Sequence, residues 1–172
     1  MAGFSKNSGA TEAVRRAANR PEGPVLILGY GNTLRRDDGL GVALAEALAA
    51  ESPAGVEVRS CHQLTPELAE PVSRAAAVVF VDAALPGIGS VRLRRLRPMT
   101  AAAVGSHDCA PESILGLAGA LYGRVPPAWL LALPGEDFGL GEGLSPRGAE
   151  SLQKGLHRLR RWLDRRCRSA AG

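Results

Sequence analysis

Residues 24–41 read PVLILGYGNTLRRDDGLG, and the rest of the chain is arranged around this stretch. It opens with four apolar residues, Val25–Leu28, between Pro and Gly, which is typical of a strand buried on both faces. Two glycines follow, where a backbone can turn sharply or approach another group closely. The adjacent carboxylates Asp37 and Asp38 then precede an apolar-periodic segment that begins at Leu40. The stretch predicts a strand, a glycine loop, an acidic pair and a helix.

The acidic pair has two interpretations. In the first, Asp37 and Asp38 cap the N-terminus of the helix, where negative charge is favoured. In the second, at least one of them is held at the carboxyl edge of a sheet, where open α/β folds place their binding sites. A cap needs only one Asp, so the pair favours the second interpretation. The loop is not a dinucleotide-binding fingerprint, because Leu34 stands where the third glycine of G-x-G-x-x-G belongs.

The composition predicts one folded α/β domain. The 172 residues are 45% hydrophobic and 22% charged, which is too apolar for a disordered chain. We expect a loose lead over residues 1–23 and a single domain over residues 24–168. The sequence contains neither an apolar run of the roughly 20 residues that span a membrane nor a secretory signal. Its scattered cysteines form no C-x-x-C pair and fit a reducing compartment. We therefore expect a cytoplasmic protein without a membrane partner.

The chain is basic, with a formal net charge of +4. Its arginines are concentrated in two segments, residues 92–97 and 158–168. Neither segment interleaves aromatic residues that would stack on bases, so we expect no nucleic-acid partner. The two basic segments are therefore interpreted either as a solvated surface or as a surface for an acidic partner.

Apolar patterns predict four further strands, at residues 56–61, 77–81, 91–96 and 128–133. Helices are predicted from Leu40, from Thr65, over residues 111–122 and from Ser145 onward. Helical crossovers join parallel strands, so Asp82, which closes the third strand, should share an edge with the acidic pair. His107 lies in a loop just before a helix.

The side chains predicted at this edge are Asp37, Asp38, Asp82 and His107. Two carboxylates and an imidazole can hold a divalent ion such as Ni, Zn, Fe or Mn, and ligand type alone does not choose among them. No HExxH or G-x-S-x-G motif supports a zincin or a serine hydrolase. Cys109 is a candidate nucleophile, although a small buried hydrophobe is the better interpretation. Acidic residues of the glycine-rich loop at 135–143 are expected to be solvated.

The opening segment Gly29–Gly41 resembles the signature of the hydrogenase maturation endopeptidases, G-x-G-N-x-L-x-x-D-[DE]-G-x-G. Further similar features follow in the same order, and the resemblance covers about residues 25–163. They are the strand ending in Asp82, the pair Ser106-His107 before a helix, the loop after the strand at 128–133, and the G-L-S-P that opens the last helix.

The resemblance implies a three-layer α/β/α fold with a five-stranded, mostly parallel, twisted sheet. It implies an endopeptidase that removes a C-terminal extension from the large-subunit precursor of a [NiFe] hydrogenase after nickel insertion. Nickel held by the cysteines of that substrate is then the recognition element. The family's metal-contacting and catalytic positions match Asp38, Asp82 and His107. At Asp38 the family often has Glu.

Two other functions are weighed against this one. A peptidyl-tRNA hydrolase-like esterase shares the G-x-G-N opening, but this chain has Asn32-Thr33-Leu34 where Asn-Pro-Gly is expected. A non-catalytic ligand-binding α/β module gives no reason for Asp38, Asp82 and His107 to converge. An acidic pair at the glycine loop would also repel phosphate.

Overall fold

Five strands form a single sheet in the order β2-β1-β3-β5-β4 in the computed structural model, which describes residues 23–85, 87, 89–99 and 109–171. The strands are β1 (Val25–Tyr30), β2 (Val56–Cys61), β3 (Ala77–Ala84), β4 (Arg92–Arg95) and β5 (Ala128–Pro134). The helices are α1 (Leu40–Glu51), α2 (Ala69–Arg74), α3 (Pro111–Tyr122) and α4 (Pro146–Ala171). Short 3-10 turns over Arg36–Gly39 and Pro66–Leu68 lead into α1 and α2.

The strand directions match the expected α/β class. β1 pairs in parallel with β2 and with β3, and β3 pairs in parallel with β5. Only β4, among the described strands, runs antiparallel, along the outer side of β5. The α/β prediction with a five-stranded, mostly parallel sheet is thus confirmed.

Helices cover both faces of the sheet and create two apolar cores. On one face, Leu26, Leu28 and Phe80 pack with residues of α2 and α3. On the other face, the alternate strand residues, such as Ile27 and Val79, pack with α1 and α4. Because successive strand side chains point to opposite faces, the long apolar runs that predicted β1 and β3 supply both cores.

Two glycines set the distance between α1 and the sheet. A Cβ on Gly29 would overlap the carbonyl oxygen of Gly41. A Cβ on Gly41 would overlap the carbonyl oxygens of Tyr30 and Val81. Helix α1 therefore begins directly against the ends of β1 and β3, which places the acidic pair at the carboxyl edge of the sheet.

The last helix begins as the sequence predicts. The Ser145 Oγ accepts a hydrogen bond from the Gly148 N–H at 2.9 Å, and Pro146 is the first helical residue. Thr65, in contrast, makes no side-chain cap at the 3-10 turn before α2. Within the described ranges, no helix has the length and apolar character to span a membrane.

Candidate active site

The carboxyl edge of the sheet brings together Asp37, Asp38 and Asp82. Asp37 and Asp38 lie on the 3-10 turn that joins β1 to α1, and Asp82 lies near the end of β3. The parallel pairing of β1 and β3 places both connections at one edge, as predicted. The three carboxylates nevertheless have different environments and different roles.

Asp37 is an internal anchor with no exposed surface. Its Oδ2 accepts hydrogen bonds from the Glu136 N–H at 2.8 Å, the Asp137 N–H at 3.1 Å and the Ser145 hydroxyl at 2.6 Å. Its Oδ1 accepts the Ser145 N–H at 2.8 Å. Burial pushes the pKa of Asp37 upward, but the bonds from Ser145, Glu136 and Asp137 outweigh burial and hold the pKa below its usual value. The carboxylate ties the loop after β5 and the start of α4 to the turn before α1.

The capping interpretation of the acidic pair is wrong. Helix α1 has Gly39 at its N-cap and no side-chain cap. Asp37 instead satisfies backbone groups of a segment distant in sequence. The loop that follows β5 is held further by Asp137, which forms an ion pair with Arg36 at 3.3 Å and accepts the Gly139 N–H. The Asp137 carboxylate remains partly exposed, as expected for this loop, and also holds the loop in place.

Asp38 is partly exposed and points to the glycine loop. Its Oδ2 accepts the Asn32 N–H at 2.9 Å. Gly31 lies directly over this turn with φ +139°, and a Cβ there would overlap the Asp38 carbonyl oxygen. The glycine and Asn32 of the opening motif therefore fix where Asp38 stands, while the side chain keeps access to solvent.

Asp82 is half-buried, and its pKa is raised. Its Oδ2 accepts a hydrogen bond of 2.8 Å from the Tyr30 hydroxyl. Burial raises the pKa of Asp82 to about 6, against the lowering effect of the bonds from Tyr30 and the Ala83 N–H, and the charge of Asp38 raises it further. Burial and Asp82 also raise the pKa of Tyr30, which keeps the phenol a proton donor. Asp38 and Asp82 therefore lie at the same edge of the sheet and interact through their charges.

His107, the predicted imidazole, lies outside the described residues. The helix that follows it in sequence, α3, packs on the same face of the sheet as Tyr30. Among the described residues, no three His, Cys, Asp or Glu side chains are grouped to hold a metal. What the structure brings together is the carboxylate pair Asp38 and Asp82, with Tyr30 behind Asp82.

Sequence reasoning missed Tyr30 and the anchoring role of Ser145. Tyr30 stands between two glycines at the end of a strand, and nothing local marks its hydroxyl as a partner of a residue on another strand. Ser145 was expected only as a helix cap, yet its hydroxyl also donates to Asp37. Cys109, the alternative nucleophile, is partly buried and packs against the α2/α3 core, as the hydrophobic interpretation expects.

The arrangement can perform acid–base or metal chemistry. A carboxylate with a pKa near 6 exchanges a proton readily near neutral pH. The neighbouring carboxylate of Asp38 can supply a hard oxygen ligand to a divalent ion. Both side chains lie at the edge where open α/β sheets bind ligands.

Solved structures share this architecture. The hydrogenase maturating endopeptidase HybD from E. coli aligns with a TM-score of 0.57 and 25% identity, over 79% of this chain and 89% of that one. The chain has the fold of the hydrogenase maturation endopeptidases. A [NiFe] hydrogenase maturation protease HycI from Thermococcus kodakarensis KOD1 aligns with a TM-score of 0.62 and 23% identity, over 79% and 89%. The HybD protease from Thermococcus kodakarensis gives 0.61 and 21%, over 81% and 98%.

No protein-family model matches the chain, and neither does any curated protein. The resemblance predicted from the opening motif is confirmed by the structural relatives, which are named as endopeptidases or proteases of hydrogenase maturation. The predicted enzyme class, a peptide-bond hydrolase, agrees with them. The peptidyl-tRNA hydrolase and ligand-binding alternatives find no support among the relatives described here.

Proposed function

We propose that this chain is an endopeptidase that removes the C-terminal extension of a [NiFe] hydrogenase large-subunit precursor after nickel insertion. The observation that carries the proposal is the pair Asp38 and Asp82 at the carboxyl edge of a fold shared with hydrogenase maturation endopeptidases. Nickel belongs to the substrate in this proposal. The precursor's thiolates hold the ion, and this chain adds oxygen ligands to it.

The proposed roles follow from the environments of the side chains. Asp38, fixed by the Asn32 N–H and open to solvent, supplies a charged oxygen ligand to the ion. Asp82, held through Oδ2 by Tyr30, lies at the same edge of the sheet with a pKa of about 6. The imidazole of His107 is proposed as the second ligand, which leaves Asp82 to act on the attacking water. One carboxylate and one imidazole bind such an ion weakly alone, so productive binding would require the thiolates of a nickel-loaded precursor.

Cleavage itself needs a water activated next to the scissile peptide. A divalent ion can polarise that peptide's carbonyl, and a carboxylate with a pKa near 6 can accept the proton of the attacking water. We assign the proton acceptor to Asp82, because its raised pKa suits a general base near neutral pH. The nickel requirement makes the enzyme a checkpoint that distinguishes loaded from empty precursor.

A cleavage assay tests the proposal. The protein is mixed with nickel-loaded and nickel-free large-subunit precursor, and the products are weighed by mass spectrometry. We expect loss of a C-terminal peptide from the loaded precursor alone, and no cleavage by Asp38→Asn or His107→Ala. Asp164→Asn, which alters an exposed Asp of α4, is the matched control and should cleave normally. Absence of cleavage from either precursor by the unaltered protein would reject the proposed function.

A further inference from the structure

A basic groove runs between the outer strand β4 and helix α4, away from the candidate active site. Its volume is about 740 Å³. The walls are formed by Leu93 and Arg95 of β4, Trp129 of β5, and Arg158, Arg161 and Arg165 of α4. Leu93 and Trp129 belong to the α1/α4 core, whereas Tyr30, the partner of Asp82, belongs to the α2/α3 core. The groove therefore opens on the opposite face of the sheet from Asp82.

The groove concentrates positive charge without acidic walls. None of the described residues that line it is Asp or Glu. In the part of the chain that the structure describes, Arg95, Arg158 and Arg161 have no carboxylate within ion-pair distance. Lys154, which also lines the groove, is paired with Glu150 at 3.1 Å. Like charges that crowd one surface repel each other, so an acidic occupant would gain from pairing with Arg95, Arg158 and Arg161.

Arginine side chains also lie close to Trp129, which lines the groove. The guanidinium carbons of Arg95 and Arg166 lie 5.5 and 5.3 Å from the ring centre of Trp129. Burial lowers the pKa of Arg166, and the charge of Arg95 lowers it further. Trp162 packs edge-on against Trp129 with the ring centres 4.9 Å apart. Arg95, Arg166 and Trp162 already contact the Trp129 ring, so a nucleotide base would compete with them for stacking on it.

The geometry points to an extended acidic polypeptide segment of a partner protein as the occupant, paired along the outer edge of β4. Among the described strands, β4 is the last of the sheet, and the N–H and C=O groups on its outer side can add one more strand. In an extended peptide, side chains on one face recur about every 7 Å. Helix residues three or four apart are separated by about 4.5 to 6 Å along the axis, so alternate acidic side chains can meet Lys154, Arg158 and Arg161 in turn.

The N-terminal segment of this chain is a poor match for the groove. Residues 1–22 contain four basic side chains, Lys6, Arg15, Arg16 and Arg20, and two acidic ones, Glu12 and Glu22. A segment of net positive charge does not complement an arginine-lined surface. The occupant is therefore a different polypeptide, and its binding does not depend on the proposed cleavage.

Fluorescence anisotropy of the full chain with labelled ten-residue peptides tests the inference. We expect a peptide of alternating Glu and Val to bind, with an affinity that falls as salt rises. Peptides with Gln or Lys in place of Glu should not bind. Equal binding of the Lys peptide, or tighter binding of an oligo-dT strand or of anionic lipid vesicles, would overturn the inference.

Paired charge reversals locate the site. Arg158→Glu combined with Arg161→Glu should weaken binding of the Glu/Val peptide at least about tenfold. The control, Arg59→Glu with Arg74→Glu, makes the same change in net charge near the opposite edge of the sheet, where both arginines are already paired with Glu57 and Glu70. The control should bind normally, and an equal loss in both double variants would show that only net charge matters.

Methylated peptides test the strand pairing without altering the protein. In an extended peptide, alternate N–H groups face a neighbouring strand. N-methylation of one alternate set should abolish binding, and N-methylation of the other set should leave it nearly unchanged. Equal binding of both methylated peptides would refute pairing along β4.

Discussion

At the scale of single residues, Asp37 and Asp38 are adjacent in sequence but differ in their burial and in their hydrogen bonds. Asp37 is buried beneath four donated hydrogen bonds. Asp38 is partly exposed and accepts one bond from the Asn32 N–H. Asp37 therefore has a structural role, whereas Asp38 is available for chemistry. Matched substitutions at the two positions can separate these roles.

We expect Asp37→Asn to destabilise the fold by about 2–4 kcal/mol, since an amide places N–H donors against buried N–H donors. Asp38→Asn should cost under about 1 kcal/mol, because its amide oxygen can still accept the Asn32 N–H. Urea unfolding measures both. Since the native pKa of Asp37 is lowered, its stabilisation is present above the unfolded pKa and is lost as pH falls through the native pKa. Equal losses for the two variants would contradict this division.

The titration of Asp82 gives a second prediction. Its pKa of about 6 lies above the usual value, so its contribution to stability is full below about 3.8 and disappears as pH rises through about 6. The cleavage rate should show the opposite trend and rise through about pH 6, as Asp82 loses its proton. Carboxyl carbon NMR should place the Asp82 titration lower in Asp38→Asn and higher in Tyr30→Phe, because Asp38 raises that pKa and Tyr30 lowers it. An unchanged Asp82 pKa in Asp38→Asn would show that the charge of Asp38 does not affect Asp82.

At the scale of elements, the packing of α1 on β1 and β3 depends on Gly41. We expect Gly41→Ala to cost about 2 kcal/mol or more despite the better helix propensity of Ala, because the new Cβ meets backbone oxygens of both strands. Gly89→Ala is the control, since no atom lies within 4 Å of its added Cβ. Thermal unfolding compares the two. A neutral Gly41→Ala would mean that α1 can move away from the sheet at little cost.

The sequence predicts strands and helices well where a pattern is local. The apolar run Val25–Leu28 and the Pro after Ser145 each identify an element within a few residues. The antiparallel direction of β4 was not predicted, because its alternating pattern is the same in either direction. The Tyr30–Asp82 bond and the Asp37 anchor join positions 52 and about 100 residues apart, so no local signal reveals them. The parallel crossovers therefore predict the edge that carries Asp38 and Asp82, whereas the bonds within that edge have no signal in the sequence.

At the scale of the whole molecule, Asp37 connects three parts of the chain that the sheet alone leaves apart. The turn before α1, the loop after β5 and the first turn of α4 all meet at its carboxylate. Gly148 packs against the same carboxylate, where an added Cβ would overlap Oδ1. The Asp37 carboxylate therefore joins the glycine-rich loop to the start of α4, in addition to the Arg36–Asp137 ion pair and the backbone bonds that hold this loop to the turn before α1.

Native-state hydrogen exchange can test this connection. We expect the amides of Glu136, Asp137 and Ser145 to exchange as slowly as those of β3, although they lie outside the sheet, because opening them breaks the bonds to Asp37. The exposed neighbours Glu142 and Gly143 serve as internal references and should exchange fast. In Asp37→Asn the three protected amides should approach the rate of these references, while β3 stays slower. Fast exchange of the three amides in the unaltered protein would show that the loop opens independently of the fold.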